Sequence, residues 1–255
     1  MRLLACSIIL AAARGSAAEP RRPIAVAVAA NLKPAFEEIA ARFEATRPGV
    51  AVRATYGSSG NFLAQIVNGA PFDLFLSADG AYPAQVVERG LADGEAFTYA
   101  RGRLAAWVPN GSKLDLEAKG LAALLDPSVR KVAIANPKVA PYGRAAVTAL
   151  ERAGVHERLA DRLVIGENVA QAAQFAESGN AQAALVPLSL ARSPPLATAG
   201  RAWVVPASAH DPIAQAGVVL RGARDPSLAL DLAAFVAGPA AREILARYGY
   251  DPPSR

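Results

Sequence analysis

Residues 55–66 read TYGSSGNFLAQI. The strand-like run Val50–Tyr56 passes into a helix-forming segment, Asn61–Asn68, through Gly57-Ser58-Ser59-Gly60, and Gly69 supplies the helix stop. A phosphate-cradling nucleotide loop would place Lys-Ser or Lys-Thr behind its last glycine, because the ammonium neutralises the β- and γ-phosphates. Here Asn61 and Phe62 follow Gly60. The corner therefore offers backbone amides and two hydroxyls, without a fixed cation, to something smaller than a nucleotide.

The same alternation extends in both directions. Before it, Ile24–Ala29 (IAVAVA) is β-like, and Phe36, Ile39, Ala40 and Phe43 recur at the spacing of a helix buried on one face, with Pro34 in its first turn and Pro48-Gly49 as its stop. After it come a buried strand, Phe72–Ser77, and a helix capped by Asp79 and closed by Gly90. The order βαβαβα predicts a parallel sheet with helices on both faces. A second set follows a long strand candidate, Tyr99–Asn110. It comprises helix Leu116–Leu125, strand Lys131–Ala135, helix Arg144–Ala153, strand Leu163–Ile165, helix Val169–Ser178 and strand Ala183–Val186. Arg192–Trp203 reads as a turn-rich surface excursion into strand Ala202–Pro206, followed by strand Ala216–Leu220 and helices Leu228–Val236 and Ala240–Tyr248. Two α/β sets of similar kind imply two lobes with a cleft between them, divided as 19–104 plus 208–255 and 105–207.

The N-terminus reads as a secretory signal: Met1-Arg2, an apolar run Leu3–Ala13, then small residues ending Ser16-Ala17-Ala18, with cleavage expected after Ala18. Leu3-Leu4-Ala5-Cys6 is similar to a lipoprotein-processing box, but only two residues precede it, too few for an apolar core. Removing 18 of the 255 residues leaves 237 that contain neither Cys nor Met, which excludes disulfides, thiolate metal sites and thiol catalysis. Loss of Arg2 and Arg14 lowers the formal charge from +5 to +3. The pI near 9.6 does not indicate nucleic acid, since Lys and Arg are scattered and form no run.

In open parallel sheets, ligands bind beyond the carboxyl ends of the strands. Four corners there combine small residues with the free N–H groups of a helix start: Ala29-Ala30-Asn31, Gly57-Ser58-Ser59-Gly60, Pro141-Tyr142-Gly143 and Gly166-Glu167-Asn168-Val169. Two come from each half, and none contains Lys or Arg; Arg144 follows the third. Such a cradle would use neutral donors alone, including the Asn31 amide and the Ser hydroxyls, and would favour a fully deprotonated oxyanion, with Glu167 turned away. Ser58, Ser59 and Asn31 are also ordinary helix caps, and the glycines ordinary turn residues.

Five stretches carry a family resemblance: AVAANLKPAFEEIAARFE (27–44), YGSSGNFLAQIVNGAPFDLFLSAD (56–79), VAIANPKVAPYGRAA (132–146), GENVAQAAQFAESGNAQAALV (166–186) and AGPAAREILARYGY (237–250). Together they resemble the periplasmic molybdate-binding proteins of ABC importers. The resemblance implies a two-lobed type II periplasmic-binding-protein fold, α/β, each lobe a mainly parallel sheet flanked by helices. It also implies molybdate or tungstate bound as an intact oxyanion, with no protein atom ligating the molybdenum and no further cofactor. Carried over by position, Asn31 and Ser59 would hold the anion from one lobe, and the backbone N–H groups of Tyr142 and Val169 from the other, with Ala30 and Ser58 as secondary candidates. Asn31 stands where many members have serine. Ala30 stands where some members place a hydroxyl, and Pro187 where another branch donates a tyrosine hydroxyl. The implied partner is an inner-membrane permease, the compartment the periplasm, and the expected state a monomer that does not bind nucleic acid.

Three rivals follow from the same residues. Sulfate has the same charge and shape as molybdate and differs in size. A secreted serine hydrolase would need Ser58 or Ser59 beside a base, and His156 and His210 supply the only imidazoles, without the Gly-x-Ser-x-Gly spacing. A regulator's effector domain can share the fold, but the export signal and the missing helix-turn-helix oppose it.

Overall fold

The computed structural model describes residues 23–253, so the signal peptide with its cleavage point and Cys6 lie outside the described residues. The chain builds two five-stranded sheets. The first half supplies β1 (Ile24–Ala29), α1 (Lys33–Ala45), β2 (Val52–Gly57), α2 (Ser59–Val67), β3 (Leu74–Ser77), α3 (Ala81–Glu88) and β4 (Phe97–Gly102). The middle supplies β5 (Leu104–Pro109), α4 (Leu116–Lys119), β6 (Val132–Ala135), α5 (Pro141–Arg152), α6 (His156–Leu159), β7 (Leu163–Gly166), α7 (Val169–Glu177), β8 (Ala183–Pro187), α8 (Leu188–Ala191), α9 (Leu196–Ala199) and β9 (Gly200–Val204). The chain then returns with β10 (Ile213–Val219), α10 (Pro226–Ala237) and α11 (Pro239–Arg247).

Strand order is β2-β1-β3-β10-β4 in the first sheet and β7-β6-β8-β5-β9 in the second. β1 pairs in parallel with β2 and β3, and β6 with β7 and β8. β10 runs antiparallel to β3 and β4, and β5 antiparallel to β8 and β9. Each sheet thus has one reversed strand, and in both cases it is the strand that has just entered from the other lobe. The expectation of a mainly parallel sheet in each lobe holds, with that strand as the exception.

Three readings of local pattern are corrected. Tyr99–Asn110 is not one strand: β4 ends at Gly102, β5 starts at Leu104, and the two lie in different sheets, because an unbroken apolar run carries no mark where it changes partners. The helix read over Leu116–Leu125 is one α-turn followed by a 3-10 stretch from Gly120, whose φ of +54° lies in the left-handed region that interrupts an α-helix. The excursion Arg192–Trp203 contains α9 and is anchored inward, with Leu196 buried and its carbonyl accepting from Trp107 Nε1 at 3.0 Å.

Packing follows the sequence periodicity. α1 buries Ala35, Phe36, Ile39 and Phe43 against the first sheet, with Ala40 partly buried. The returning helices close over the same core through Leu228, Leu232, Val236, Ile244 and Leu245, and Phe43 meets Phe235 edge to face at 5.4 Å. Each fully buried side chain of this size contributes about 1.5–3 kcal/mol, so this helix pair is fixed to the first sheet. Beyond it, a bridge between Arg101 and Asp251 ties the chain end to β4 and carries Tyr250 inward. Among the described residues, no helix is long and apolar enough to cross a membrane.

Candidate functional site: a small cavity between two lobes

The four corners meet. Asn31, Ser59, Tyr142 and Val169 line one small cavity between the sheets, together with Ala30 and Ser58. Its remaining walls are Ala29, Gly57, Ala78, Ala140, Pro141 and Asn168, so no charged side chain faces it. As the lobes stand, the cavity leaves about 10 Å³ for the centre of a water-sized sphere, close to the minimum that holds one water.

The helices begin earlier than periodicity implied, α2 at Ser59 rather than Asn61 and α5 at Pro141 rather than Arg144, so the corner residues form first helical turns. Accounting for the N–H groups of those turns shows why particular residues matter, since the opening N–H groups of a helix have no partner within it. In α5, Pro141 has no N–H, while Gly143 and Arg144 donate to Ala140 O at 2.9 and 3.1 Å. Tyr142 N–H is left over. In α7, Asn168 Oδ1 accepts from Ala170 and Gln171, and Asn168 O accepts from Ala172. Val169 N–H is left over. In α2, Gly60 N–H crosses the cleft to Val139 O at 2.9 Å and Phe62 donates to Ser58 O, which leaves Asn61 N–H, on an exposed residue off the cavity, and Ser59 N–H, on a residue that lines it. Asn31, inside a 3-10 turn over Ala30–Leu32, likewise has an unpartnered N–H. On residues that line the cavity these are four main-chain donors, two from each lobe, and the helix dipoles behind them add positive potential.

The side chains divide differently. Ser59 Oγ accepts from Ala78 N–H at 3.0 Å, which leaves its own proton free to donate. Ser58, at the N-cap position of α2, makes no cap bond; its Oγ is buried without a partner. Asn31 departs from expectation. Both N–H groups of its side-chain amide are engaged, with Gln215 Oε1 at 2.7 Å and Tyr250 Oη at 2.9 Å, and Oδ1 is the atom left buried and unpartnered. The Asn31 side chain therefore has no N–H left to offer, and the free donor of Asn31 is its main-chain N–H. Glu167 is exposed and off the cavity, as expected, and Pro187 ends β8 without lining it. The N-cap of α3 is Gly80; Asp79, expected there, lies one residue earlier and accepts from Tyr82 N–H at 3.2 Å.

Several bonds hold the lobes together around the cavity. Arg144 of α5 pairs with Asp79 and donates to Tyr82 Oη at 3.1 Å. Ser189 of α8 donates to Asn31 O at 2.8 Å, and Tyr250 Oη contacts Ser189 Oγ at 3.2 Å. Tyr142 is fully buried against Tyr99 and Tyr250; burial first, then these neighbouring phenols, pushes its hydroxyl far above the usual tyrosine range. Sequence reasoning missed Gln215, Tyr250 and Ser189; Gln215 and Ser189 gave only the signal of a polar residue within an apolar run, and Tyr250, in RYGYDPP, not even that.

Two lobes that share a cleft lined by helix N-termini and uncharged donors define a solute-binding protein for a small anion. The family model of the bacterial extracellular solute-binding proteins matches residues 24–251, and the chain belongs to that family. It is 39% identical over 228 residues to the molybdate-binding protein ModA of Azotobacter vinelandii, covering 89% of each. It is 40% identical over 228 residues to the ModA of Rhodobacter capsulatus, covering 89% of this chain and 87% of that one. The solved periplasmic molybdate-binding protein of Azotobacter vinelandii superposes with a TM-score of 0.84 at 33% identity, covering 91% of this chain and all of that one. A sulfate-binding protein from Mycobacterium tuberculosis, at 16% identity and a TM-score of 0.75, shares the fold.

Proposed function

We propose that this protein captures molybdate or tungstate in the periplasm and delivers it to the permease of an ABC importer. The observation that carries the reading is the set of four unpartnered main-chain N–H groups, at Asn31, Ser59, Tyr142 and Val169, converging from both lobes on one cavity without a charged wall. The names of its relatives at about 40% identity point to the same anion. Nothing comparable supports the hydrolase: neither His156 nor His210 lines the cavity beside Ser58 and Ser59.

The anion docks on one lobe, and closure about the two crossings brings the other lobe's amides onto it, the hinge motion known for two-lobed binders. One crossing is Arg103 between β4 and β5; the other is residues 205–212 between β9 and β10. On this reading residues 19–104 and 208–255 form one body and 105–207 the other, with the first boundary one residue inside β5, which opens at Leu104. Hydrogen bonds to a charged group contribute about 1.5–3 kcal/mol each, and nanomolar affinity needs about 12 kcal/mol. Four N–H groups plus the Ser59 hydroxyl reach that total only when both lobes contribute, so binding and closure are one event. The closed shape is what the permease would read. Calorimetric titration with molybdate, tungstate, sulfate and phosphate tests the assignment; sulfate binding as tight as molybdate would overturn it and leave the fold untouched.

A further inference from the structure

We infer that Gln215 is the positioning residue of the half-site on the first lobe: it holds Asn31 and Ser59 in their binding geometry and links both to the hinge. This rests on the oxyanion reading above and names the side chain that organises it. Gln215 is completely buried and does not line the cavity. It sits beside a bulge in the pairing of β10 with β4: Gln215 pairs with Ala100 and Ala216 with Thr98, so Tyr99 of β4 is the extra residue and β10 keeps its regular alternation at Gln215.

Each polar atom of Gln215 is used. Oε1 accepts from Asn31 Nδ2 at 2.7 Å, while Nε2 donates to Ala78 O at 3.1 Å and Ile213 O at 3.3 Å. Two carbonyl acceptors fix which end of the amide is nitrogen, and that in turn fixes the Asn31 amide with its Nδ2 end toward Gln215, one N–H on Gln215 Oε1 and the other on Tyr250 Oη. The Ala78 peptide continues the chain, because its N–H donates to Ser59 Oγ and sets the direction of that hydroxyl. Ile213 is the first residue of β10 after the crossing. One buried amide therefore connects both anion-binding residues of the lobe to the point where the lobes pivot. Tyr250 and Ser189 complete the clamp by donating to Asn31 O, each at 2.8 Å.

Two variants and a ligand-free measurement test this. Gln215→Leu keeps the volume and removes every hydrogen bond; molybdate affinity should fall at least tenfold in protein that is folded by circular dichroism. Gln215→Glu can imitate the wild type only when its carboxyl is protonated and able to donate, and burial raises the pKa of such a group. Its affinity relative to wild type should improve at least fivefold between pH 8 and pH 5.5. The titratable groups gathered around it, the phenols of Tyr99, Tyr142 and Tyr250, stay neutral over that range because burial raises all three. A purely space-filling role would give a constant ratio, and that result would overturn the inference. Without ligand, the side-chain amide protons of Asn31 should exchange at least tenfold more slowly in wild type than in Gln215→Leu; equal rates overturn it as well. Wild-type protein that binds no oxyanion would end the functional reading instead, and the exchange comparison would then decide the role of Gln215 alone.

Discussion

Replacing Val169 by proline deletes a single hydrogen-bond donor from the cavity and almost nothing else. Val169 is the first residue of α7, and its N–H bonds to no protein group, so the helix loses no hydrogen bond. Proline is well suited to that position, with its φ already helical, and α5 carries Pro141 there. The preceding residue, Asn168, is extended at φ −149° and ψ 179°, the region a residue before proline prefers. What disappears is the one amide that, on the proposed function, faces the anion. A hydrogen bond to a charged acceptor is worth about 1.5–3 kcal/mol, which at about 1.4 kcal/mol per decade predicts a dissociation constant for molybdate raised roughly ten- to 150-fold. Val169→Ala is the control: it keeps the N–H and trims a buried side chain, costing on the order of 1 kcal/mol of stability and little affinity. Isothermal titration calorimetry of both variants, with thermal unfolding of the ligand-free proteins, separates the two effects. Val169→Pro binding within threefold of wild type, in a protein of unchanged melting temperature, would refute the claim that this amide contacts the ligand.

Ser59→Ala should weaken molybdate binding by about tenfold or more, through loss of one charge-assisted bond; an unchanged constant removes Ser59 from the site. Ser58→Ala should also lose affinity, yet leave the ligand-free melting temperature equal or higher, because it deletes a buried hydroxyl without a partner; a lower melting temperature would contradict this. Gly102 has no room for a side chain: a Cβ there would collide with the Tyr142 hydroxyl and lie 2.9 Å from Gln215 Nε2. Since Tyr142 belongs to the opposite lobe, Gly102→Ala should hold the cleft open, seen as a larger radius of gyration in solution scattering with saturating molybdate, and adding Tyr142→Phe should partly reverse it. Stability should fall at alkaline pH. Burial raises the hydroxyls of Tyr99, Tyr142 and Tyr250, so the fold keeps these phenols neutral while the unfolded chain releases their protons above about pH 10. The stabilisation is complete below that point and declines as pH rises beyond it, by about 1.4 kcal/mol per phenol at pH 11, about 4 kcal/mol for the three. Urea unfolding at pH 8 and pH 11 measures the difference, and equal free energies would show that the cluster does not titrate as described.

The sequence by itself determined the elements and the corners. Apolar spacing at Phe36, Ile39 and Phe43, the IAVAVA run, and stops such as Gly69 and Gly90 are short-range signals, each decided within about a helical turn. Small residues at strand ends, followed by helix starts without Lys or Arg, were enough to mark the four corners, because the chemistry of a first helical turn belongs to the residues that form it; Asn31, Ser59, Tyr142 and Val169 within them were singled out by the family resemblance. Tertiary structure decided what those residues bond to. The break at Arg103, the reversed strands β5 and β10, and the bulge at Tyr99 of β4 depend on which strand lies alongside, and an apolar run records its burial without naming its neighbour. Asn31 shows the difference most clearly: its partners lie 158, 184 and 219 residues away, at Ser189, Gln215 and Tyr250. Sequence identified Asn31 as an amide with two donors to offer. Only the folded arrangement spends both of them on Gln215 and Tyr250 and leaves the main-chain N–H without a partner.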